Sequence, residues 1–208
     1  YCLALVKVPE HVSTIQEAIN LSHEGGHVQV SPGVYYETEI LWDTKNLTLT
    51  GLGADGTTII DAQGGVGFDL HDLNYVSKID NILFVNAGTG LHLHDAHITI
   101  ENSGFANAGT GLILGNSKIT MANSEFANNG IGVFLDNSEI KGTTLSFDSN
   151  EVGIQESEDS GQTSRVVLDD SEVVTHATAG VSMNWGSILL RNCTVSDNNV
   201  GVDVSGAT

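Results

Sequence analysis

A repeat of 21 residues constrains the fold of this chain more than any other feature. Three segments align without gaps, and they start at Gly90, Gly111 and Gly132. The register extends back to Gly67 with a step of 23 residues. It extends forward to Gly153, Gly180 and Gly201, with six extra residues between Gly153 and Gly180. A fixed period of this length is typical of architectures in which each unit stacks on the next.

The first and third residues after each glycine are apolar, which is the alternation of a strand with one buried face. These positions hold Phe68 and Leu70, Leu91 and Leu93, Leu112 and Leu114, Val133 and Leu135, Val181 and Met183, and Val202 and Val204. In the remaining repeat Ile154 is followed by Glu156, whose side chain we expect to turn outward. The pattern predicts one strand directly after each glycine.

Two further apolar patterns complete the repeat. A second alternating pair appears at Ile98 and Ile100, and a column of phenylalanines follows. That column is Phe84, Phe105, Phe126 and Phe147. Three short strands in 21 residues leave room only for tight turns, so each strand must stack on its equivalent in the next unit. The sequence therefore predicts an all-β parallel solenoid with about 21 residues per coil.

Polar residues that favour turns keep the same period. Asparagines lie three residues before and two residues after the phenylalanines, at Asn81, Asn102 and Asn123 and at Asn86, Asn107 and Asn128. Asparagine adopts left-handed turn conformations at little cost, and its amide can bond to its equivalent one coil away. We expect these columns to form turn ladders.

Composition limits the size and the partners of the solenoid. The 208 residues suit one elongated domain, with a cap and the first coils in residues 1–65 and regular coils in 66–208. A net charge of −19 disfavours nucleic acid and anionic membranes as partners. No run of 18 apolar residues is present, so the sequence predicts no membrane span.

The N-terminal region predicts a short capping α-helix. Ser13 is a candidate N-cap with Glu17 in the first turn, and Ile15, Ala18 and Ile19 follow at helical spacing. The apolar face of such a helix needs a partner, and the open first coil of a solenoid needs a cover. We expect the helix to end at residues 25–26 and the first strand to span residues 27–30.

Three N-terminal segments carry a resemblance to a known superfamily. TIQEAIN, HVQVSPGVYYE and NLTLTGLGADGTTIIDAQ occur in this order before the regular repeats. The chain thereby resembles the right-handed parallel β-helix proteins of the pectate lyase-like superfamily, which includes pectin methylesterases and proteins with CASH or NosD-like repeats. The resemblance implies a right-handed β-helix, but the superfamily contains lyases, hydrolases, esterases, epimerases and non-enzymes, so it implies no single activity.

Catalytic segments of the enzymatic members are missing. Gly33, Tyr35 and Glu37 resemble the opening of pectin methylesterases, but segments of the QAVAL, DFIFG and LGRPW kind have no counterpart. Asp169 and Asp170 resemble the DD segment of polygalacturonases, and the other segments of that family have no counterpart. The basic candidates for a lyase are Lys118, Lys141, Arg165 and Arg191. They fall in different columns of the repeat, so we expect no lyase site.

One cluster with chemical potential remains on the outer face of the first strand. Stacking places His71 beside His94 and Asp69 beside His92, about 5 Å apart. His92, His94 and Asp69 are candidate catalytic residues. His71, His92, His94, Asp72 and Asp95 are candidate ligands of a divalent cation such as zinc or copper. Alternatively, polar residues are there because they suit an outer face.

Three apolar residues form a candidate binding surface. Ile113 and Phe134 occupy outward positions along the same face. We expect Trp185 to belong to the same binding surface. Next to the histidines, they suit contact with a sugar ring or with another chain. A loop or the N-terminal segment that covers them is the alternative.

The insertion at 156–164 contains candidate calcium ligands in a loop rich in serine and glycine. They are Glu156, Glu158 and Asp159. A solvated loop without metal is the alternative interpretation.

The final repeat, from Gly201, contains one strand pattern and no capping pattern. An uncovered coil favours pairing with other strands, so we expect that the natural chain continues or that this coil self-associates.

Two functional hypotheses follow. The first is an extracellular or cell-surface β-helix with a structural or binding role toward polysaccharide or in self-assembly. The second is a polysaccharide lyase or glycoside hydrolase that uses the histidine and aspartate cluster.

Overall fold

The computed structural model describes residues 3–54, 56–73, 77–158 and 163–205. The chain winds into a parallel β-solenoid of about nine turns, with about 21 residues per coil and one short helix. Every strand pair is parallel. This is the predicted fold class.

One sheet contains eight strands, one from each of eight coils. Its strands are β4 (Ile40–Asp43), β7 (Val66–His71), β10 (Thr89–His94), β13 (Thr110–Gly115), β15 (Ile131–Asp136), β17 (Val152–Glu156), β20 (Ala179–Met183) and β23 (Val200–Val204). The last seven are the strands that the glycine-led apolar pairs predicted.

The second sheet has fifteen strands in two rows, which join where single strands run through both rows. One row has β1 (Leu3–Val8), β2 (Ser22–Val30), β5 (Leu47–Gly51), β8 (Ser77–Asp80), β11 (His97–Glu101), β18 (Arg165–Asp169) and β21 (Ser187–Arg191). The other has β3 (Gly33–Tyr35), β6 (Thr58–Asp61), β9 (Leu83–Val85), β12 (Gly104–Ala106), β19 (Glu172–Val174) and β22 (Thr194–Ser196). β14 (Lys118–Ala127) and β16 (Glu139–Asp148) belong to both rows. In two coils, therefore, the second and third predicted strands are continuous.

The core is a set of aligned rows of side chains. Leu91 pairs with Leu112, and Leu112 with Val133, and all three are fully buried. The phenylalanines stack with ring centroids 4.8 to 5.0 Å apart and nearly parallel planes. Because equivalent residues repeat at the spacing of neighbouring strands, each coil covers the apolar face of the one before it.

The glycine at the start of each repeat has a packing role that the sequence pattern did not disclose. A Cβ atom on Gly90 would lie 2.6 Å from the carbonyl oxygen of Gly111, closer than real Cβ contacts allow. The backbones of successive coils approach each other so closely here that only glycine fits.

The turn columns adopt the predicted left-handed conformation. Asn102 and Asn123 both have φ of 50°, and the Asn123 amide donates to the side-chain oxygen of Asn102. Asn102 in turn donates to Asp80. Asparagine side chains in these ladders thus form hydrogen bonds with the equivalent turn of a neighbouring coil.

A second, buried polar column was not predicted. Asn129 accepts a hydrogen bond from the backbone of the preceding coil and donates to the Phe105 carbonyl, and Asn150 repeats the pattern with Phe126. In the next coil His176 takes this position and accepts from the backbone N–H of Asn150 at 3.2 Å. Buried turns need such partners because no water reaches their backbone groups.

The capping helix α1 (Ile15–Leu21) buries Ile15, Ala18 and Ile19 as expected, but its start and end differ from the prediction. Thr14, not Ser13, is the N-cap and forms a capping box with Glu17. Serine and threonine hydroxyls are both suitable N-caps. Thr14 is the N-cap here because its hydroxyl accepts the hydrogen bond from the backbone N–H of Glu17.

The helix ends at Leu21 because Ser22 is already extended, so residues 25–26 do not terminate it. They lie inside β2, which begins earlier than predicted, and β1 precedes the helix without having been predicted. No helix in the described parts of the chain is long and apolar enough to cross a membrane.

Candidate functional site

The outer face of the eight-stranded sheet brings the predicted cluster together. His92 pairs in register with Asp69, and His94 with His71, as stacking predicted. All four side chains lie on β7 and β10, and the alternation that buries Leu91 and Leu93 turns these residues outward.

A single carboxylate connects two of the imidazoles. Oδ1 of Asp69 lies 3.2 Å from Nδ1 of His92, and Oδ2 lies 3.1 Å from Nε2 of His71. The rings of His71 and His94 stack with centroids 5.6 Å apart, and His92 meets His94 edge to face at 5.2 Å. The group is a compact arrangement of three imidazoles and one carboxylate.

The environment of His92 favours its neutral form. Partial burial lowers the pKa of His92, and the Asp69 carboxylate opposes this shift while His94 and His71 add to it. A neutral imidazole that faces a carboxylate through Nδ1 is able to accept a proton at its other nitrogen. The arrangement therefore suits general-base chemistry.

Asp72 and Asp95 lie at the turns that follow the two strands, both with positive φ. Asn116 donates a hydrogen bond to Oδ1 of Asp95, so this carboxylate belongs to a turn ladder that continues to Asn137. Across the described ranges, no set of three or more histidine, cysteine, aspartate or glutamate side chains is arranged to hold a metal ion. The five candidate metal ligands thus do not converge on one point.

The apolar candidates Ile113 and Phe134 continue the row that contains Asp69 and His92. Ile113 pairs with His92 and Phe134 with Ile113, and both are half-buried. Part of each side chain therefore faces solvent. The row ends on the other side at Leu41, which is 48% exposed and pairs with Asp69.

Glu156 does not turn outward, and this corrects the sequence prediction. It is 1% exposed, and its carboxylate accepts four backbone N–H bonds. One comes from Ser164 at 2.7 Å, and those from Asn184, Trp185 and Gly186 are each 2.8 Å. These donors replace the solvation that the carboxylate loses on burial, so an inward position is stable.

The calcium prediction loses its first ligand as a result, because the Glu156 carboxylate is enclosed by these donors. Glu158 is exposed, and Asp159 lies outside the described residues. Nothing in the described part of the insertion assembles a calcium site around Glu158.

Trp185 lies away from the row of Ile113 and Phe134. It is 41% exposed and lines a cleft of about 520 Å³ beside the turns that lead into β16, β18 and β21. The other lining residues are Lys118, Asn137, Ser138, Glu139, Thr163, Ser164, Arg165, Gly186 and Ser187. We call this feature the basic cleft.

The basic residues assemble more closely than the sequence predicted. Lys118, Glu139 and Arg165 are successive members of one register column, and Lys141 lies two residues beyond Glu139 on β16. The expectation of different columns was wrong for Lys118 and Arg165, because the insertion shifts the numbering of Arg165 relative to the repeat. Lys141 and Arg191 do lie in other columns. Arg191 stays apart and pairs with Asp169.

Comparison with known proteins identifies the architecture. A family model described as "right handed beta helix region" matches residues 67–208. No curated protein matches the sequence. A solved structure of Geobacillus virus E2 ORF18 superposes with a TM-score of 0.79 at 18% identity, over 91% of this chain and 48% of that one. The present chain thus spans about half of that protein.

Two enzymes have the same architecture. Pectate lyase Pel9A gives a TM-score of 0.68 at 15% identity, over 98% of this chain and 68% of that one. The pectin methylesterase from Aspergillus niger gives 0.66 at 15% identity, over 98% of this chain and 80% of that one. Identities this low establish a common fold and no common activity. Together with the family match and the stacked coils, they show that this chain belongs to the right-handed β-helix family.

Proposed function

We propose that this protein binds polysaccharide along the outer face of the eight-stranded sheet, outside the cell or at its surface. The observation that carries the proposal is the row of Asp69, His92, Ile113 and Phe134, in which polar and apolar side chains follow one another at strand spacing. With neighbouring strands about 4.8 Å apart, the row is about 14 Å long.

Such a row matches the two kinds of surface that a sugar ring presents. Ring faces of sugars are apolar enough to pack on Phe134 and Ile113, and their hydroxyl groups suit imidazole and carboxylate partners such as His92 and Asp69. The row is straight because the coils stack in register, so it suits an extended polymer better than a compact ligand. The pectate lyase and pectin methylesterase that have the same fold are named for polysaccharide substrates, which supports this ligand class.

Binding to a panel of soluble polysaccharides, measured by affinity electrophoresis and titration calorimetry, tests the proposal. We expect Phe134→Ala to weaken the binding of the best polymer about tenfold, a loss of about 1.4 kcal/mol. Leu189→Ala is the matched control, because Leu189 is 43% exposed but lies on the other sheet. Equal affinity of Phe134→Ala and the parent, or no binding by any polymer, would contradict the proposal.

Polysaccharide cleavage is the second candidate function, and the neutral, carboxylate-paired His92 favours it. A lyase or hydrolase of this kind would use His92 as base, with Asp69 orienting the imidazole. Product release from uronate polymers should then disappear in His92→Asn and persist in Leu189→Ala. Turnover that survives His92→Asn would reject this assignment.

Self-association through β23 is a further proposal, because Val200, Val202 and Val204 on this strand are each 40 to 42% exposed. Sedimentation velocity over a range of protein concentrations tests it, and a sedimentation coefficient that does not change with concentration would contradict it.

A further inference from the structure

We propose that the basic cleft is a second ligand site, which binds the negatively charged group of an acidic glycan while Trp185 packs against the sugar ring. The cleft lies at the turns beside the fifteen-stranded sheet and contains no residue of the row on the eight-stranded sheet. The inference therefore does not depend on the proposed function of that row.

The first argument is local charge. Three of the seven lysines and arginines of the chain, Lys118, Lys141 and Arg165, surround Glu139. Three positive charges and one negative charge give this group a net charge of +2, and the residues that line the basic cleft itself, without Lys141, carry +1 on a chain whose net charge is −19. A concentration of cations against an opposing overall charge selects anionic ligands locally.

The second argument is that the cations keep unused donors. Arg165 Nη1 and Lys141 Nζ both approach the same oxygen of Glu139, at 2.9 and 3.3 Å. The side chains of Arg165 and Lys141 are 52% and 56% exposed, so most of their N–H groups face solvent. Lys118 forms no ion pair with any described residue and lines both the basic cleft and the smaller adjoining cleft that Lys141 lines.

His97 and Glu139, which share a column with two of these cations, do not cancel the charge, and the exposed Glu158 lines a separate pocket with Trp185. His97 precedes Lys118 in the same column, and burial together with the Lys118 charge lowers the pKa of His97. Desolvation raises the pKa of Glu139, but hydrogen bonds and charge from Lys141 and Arg165 lower it overall, so Glu139 stays ionised and orients both cations. Glu139 is itself only 17% exposed, which leaves the cations as the outer surface of the group.

The third argument is that buried Glu156 fixes the walls of the cleft. Its carboxylate ties Ser164 on one wall to Trp185 and Gly186 on the other. A Cβ atom on Gly186 would lie 2.6 Å from Oε1 of Glu156, so the wall can approach the carboxylate only with glycine there. A cleft held in this way loses little conformational entropy when a ligand enters.

The combination of an exposed indole and cations defines the ligand chemistry. Indole rings pack against the apolar face of a ring, and arginine and lysine recognise carboxylate or sulfate groups. A sugar that carries such a group supplies both parts. Carboxylated and sulfated glycans have this chemistry in common, and the experiment distinguishes them.

Tryptophan fluorescence provides a specific readout. Trp42 is fully buried, so a change caused by ligand reports Trp185. We expect a galacturonate trisaccharide or a sulfated trisaccharide to change the fluorescence saturably, with affinity that falls as salt rises. A neutral trisaccharide of the same length should bind at least tenfold more weakly.

Charge-neutralising variants complete the test. Lys118→Gln combined with Arg165→Gln should weaken binding of the anionic trisaccharide at least tenfold, whereas Lys7→Gln, which removes a cation on β1, should not. Trp185→Phe should retain most of the affinity measured by calorimetry and Trp185→Ala should lose it. Phe134→Ala should leave this site unchanged, which separates it from the proposed row.

Equal binding of the neutral and anionic trisaccharides, or full affinity in the double glutamine variant, would overturn the inference, as would no binding of either anionic sugar. Preference for the carboxylated or for the sulfated trisaccharide would identify the group recognised. Thermal unfolding of each variant confirms that the fold is intact, and the three cleft residues that are exchanged, Lys118, Arg165 and Trp185, are exposed.

Discussion

At the scale of single residues, two buried polar side chains show how this solenoid interrupts its own repeat. Glu156 replaces an inward leucine or valine, and His176 replaces a buried asparagine. Four backbone N–H groups donate to the Glu156 carboxylate, so its burial leaves the charge fully hydrogen-bonded. Nδ1 of His176 accepts from the backbone N–H of Asn150, whereas its buried Nε2 has no hydrogen-bond partner among the described residues.

Replacement of Glu156 should cost stability out of proportion to its size. Glu156→Ala leaves four backbone donors without an acceptor, and each such donor costs about 1 to 3 kcal/mol. We expect a loss of at least about 3 kcal/mol in the free energy of unfolding, measured by urea denaturation. Glu158→Gln, on the exposed side of the same insertion, should unfold like the parent, and a Glu156→Ala variant of parental stability would refute the assigned role.

His176 should make stability depend on pH. Burial lowers the pKa of His176 in the folded chain, so the unfolded chain binds more protons. Its stabilising effect is complete above the unfolded pKa of about 6.5 and is lost as pH falls through the lower folded value.

His176→Asn restores the residue found in the two preceding coils, so it should reduce the loss of stability between pH 7 and pH 5 measured by thermal unfolding. His11→Asn, at an exposed histidine, is the control variant. A parental profile in His176→Asn would assign the acid sensitivity to other groups.

At the scale of strands and turns, close backbone contact matters as much as apolar burial. The glycine column, the stacked phenylalanines and the asparagine ladders all occur at equivalent positions of neighbouring coils. Each strand is short, so the coil depends on these contacts with its neighbours for its stability.

Gly111→Ala tests the close approach. Its Cβ would lie 2.7 Å from the carbonyl oxygen of Gly132 and 3.0 Å from Phe126, and overpacking of this kind costs about 1 to 3 kcal/mol. Gly201 occupies the same column but a Cβ there meets only Val195, at 3.6 Å. We therefore expect Gly111→Ala to lower the urea midpoint clearly and Gly201→Ala to change it little; equal effects would contradict the packing argument.

At the scale of the whole molecule, the sequence predicted the stacked coils, but it missed the strand outside the repeat and the buried column of Asn129 and Asn150 within it. Period and alternation predicted the coils, the inward row through Leu112 and the left-handed turns, because stacking forces equivalent residues to the same place. β1 was missed because it precedes the cap and lies outside the repeat.

For the candidate sites, contacts within the repeat were predicted and contacts made by the insertion were not. Pairing of Asp69 with His92 follows from the repeat alone and was predicted, whereas the acceptors and donors around Glu156 come from segments that only the folded chain brings together. The basic cleft was missed for a related reason, since the insertion hides the column that contains Lys118 and Arg165.

A crystal structure with a bound oligosaccharide tests the central functional claim most directly. The parent protein would be soaked with the polymer fragment that binds most tightly in the panel. We expect density for sugar rings along His92, Ile113 and Phe134, with a ring face against the Phe134 side chain. Occupied ligand sites that all lie away from the outer face of the eight-stranded sheet would contradict the claim.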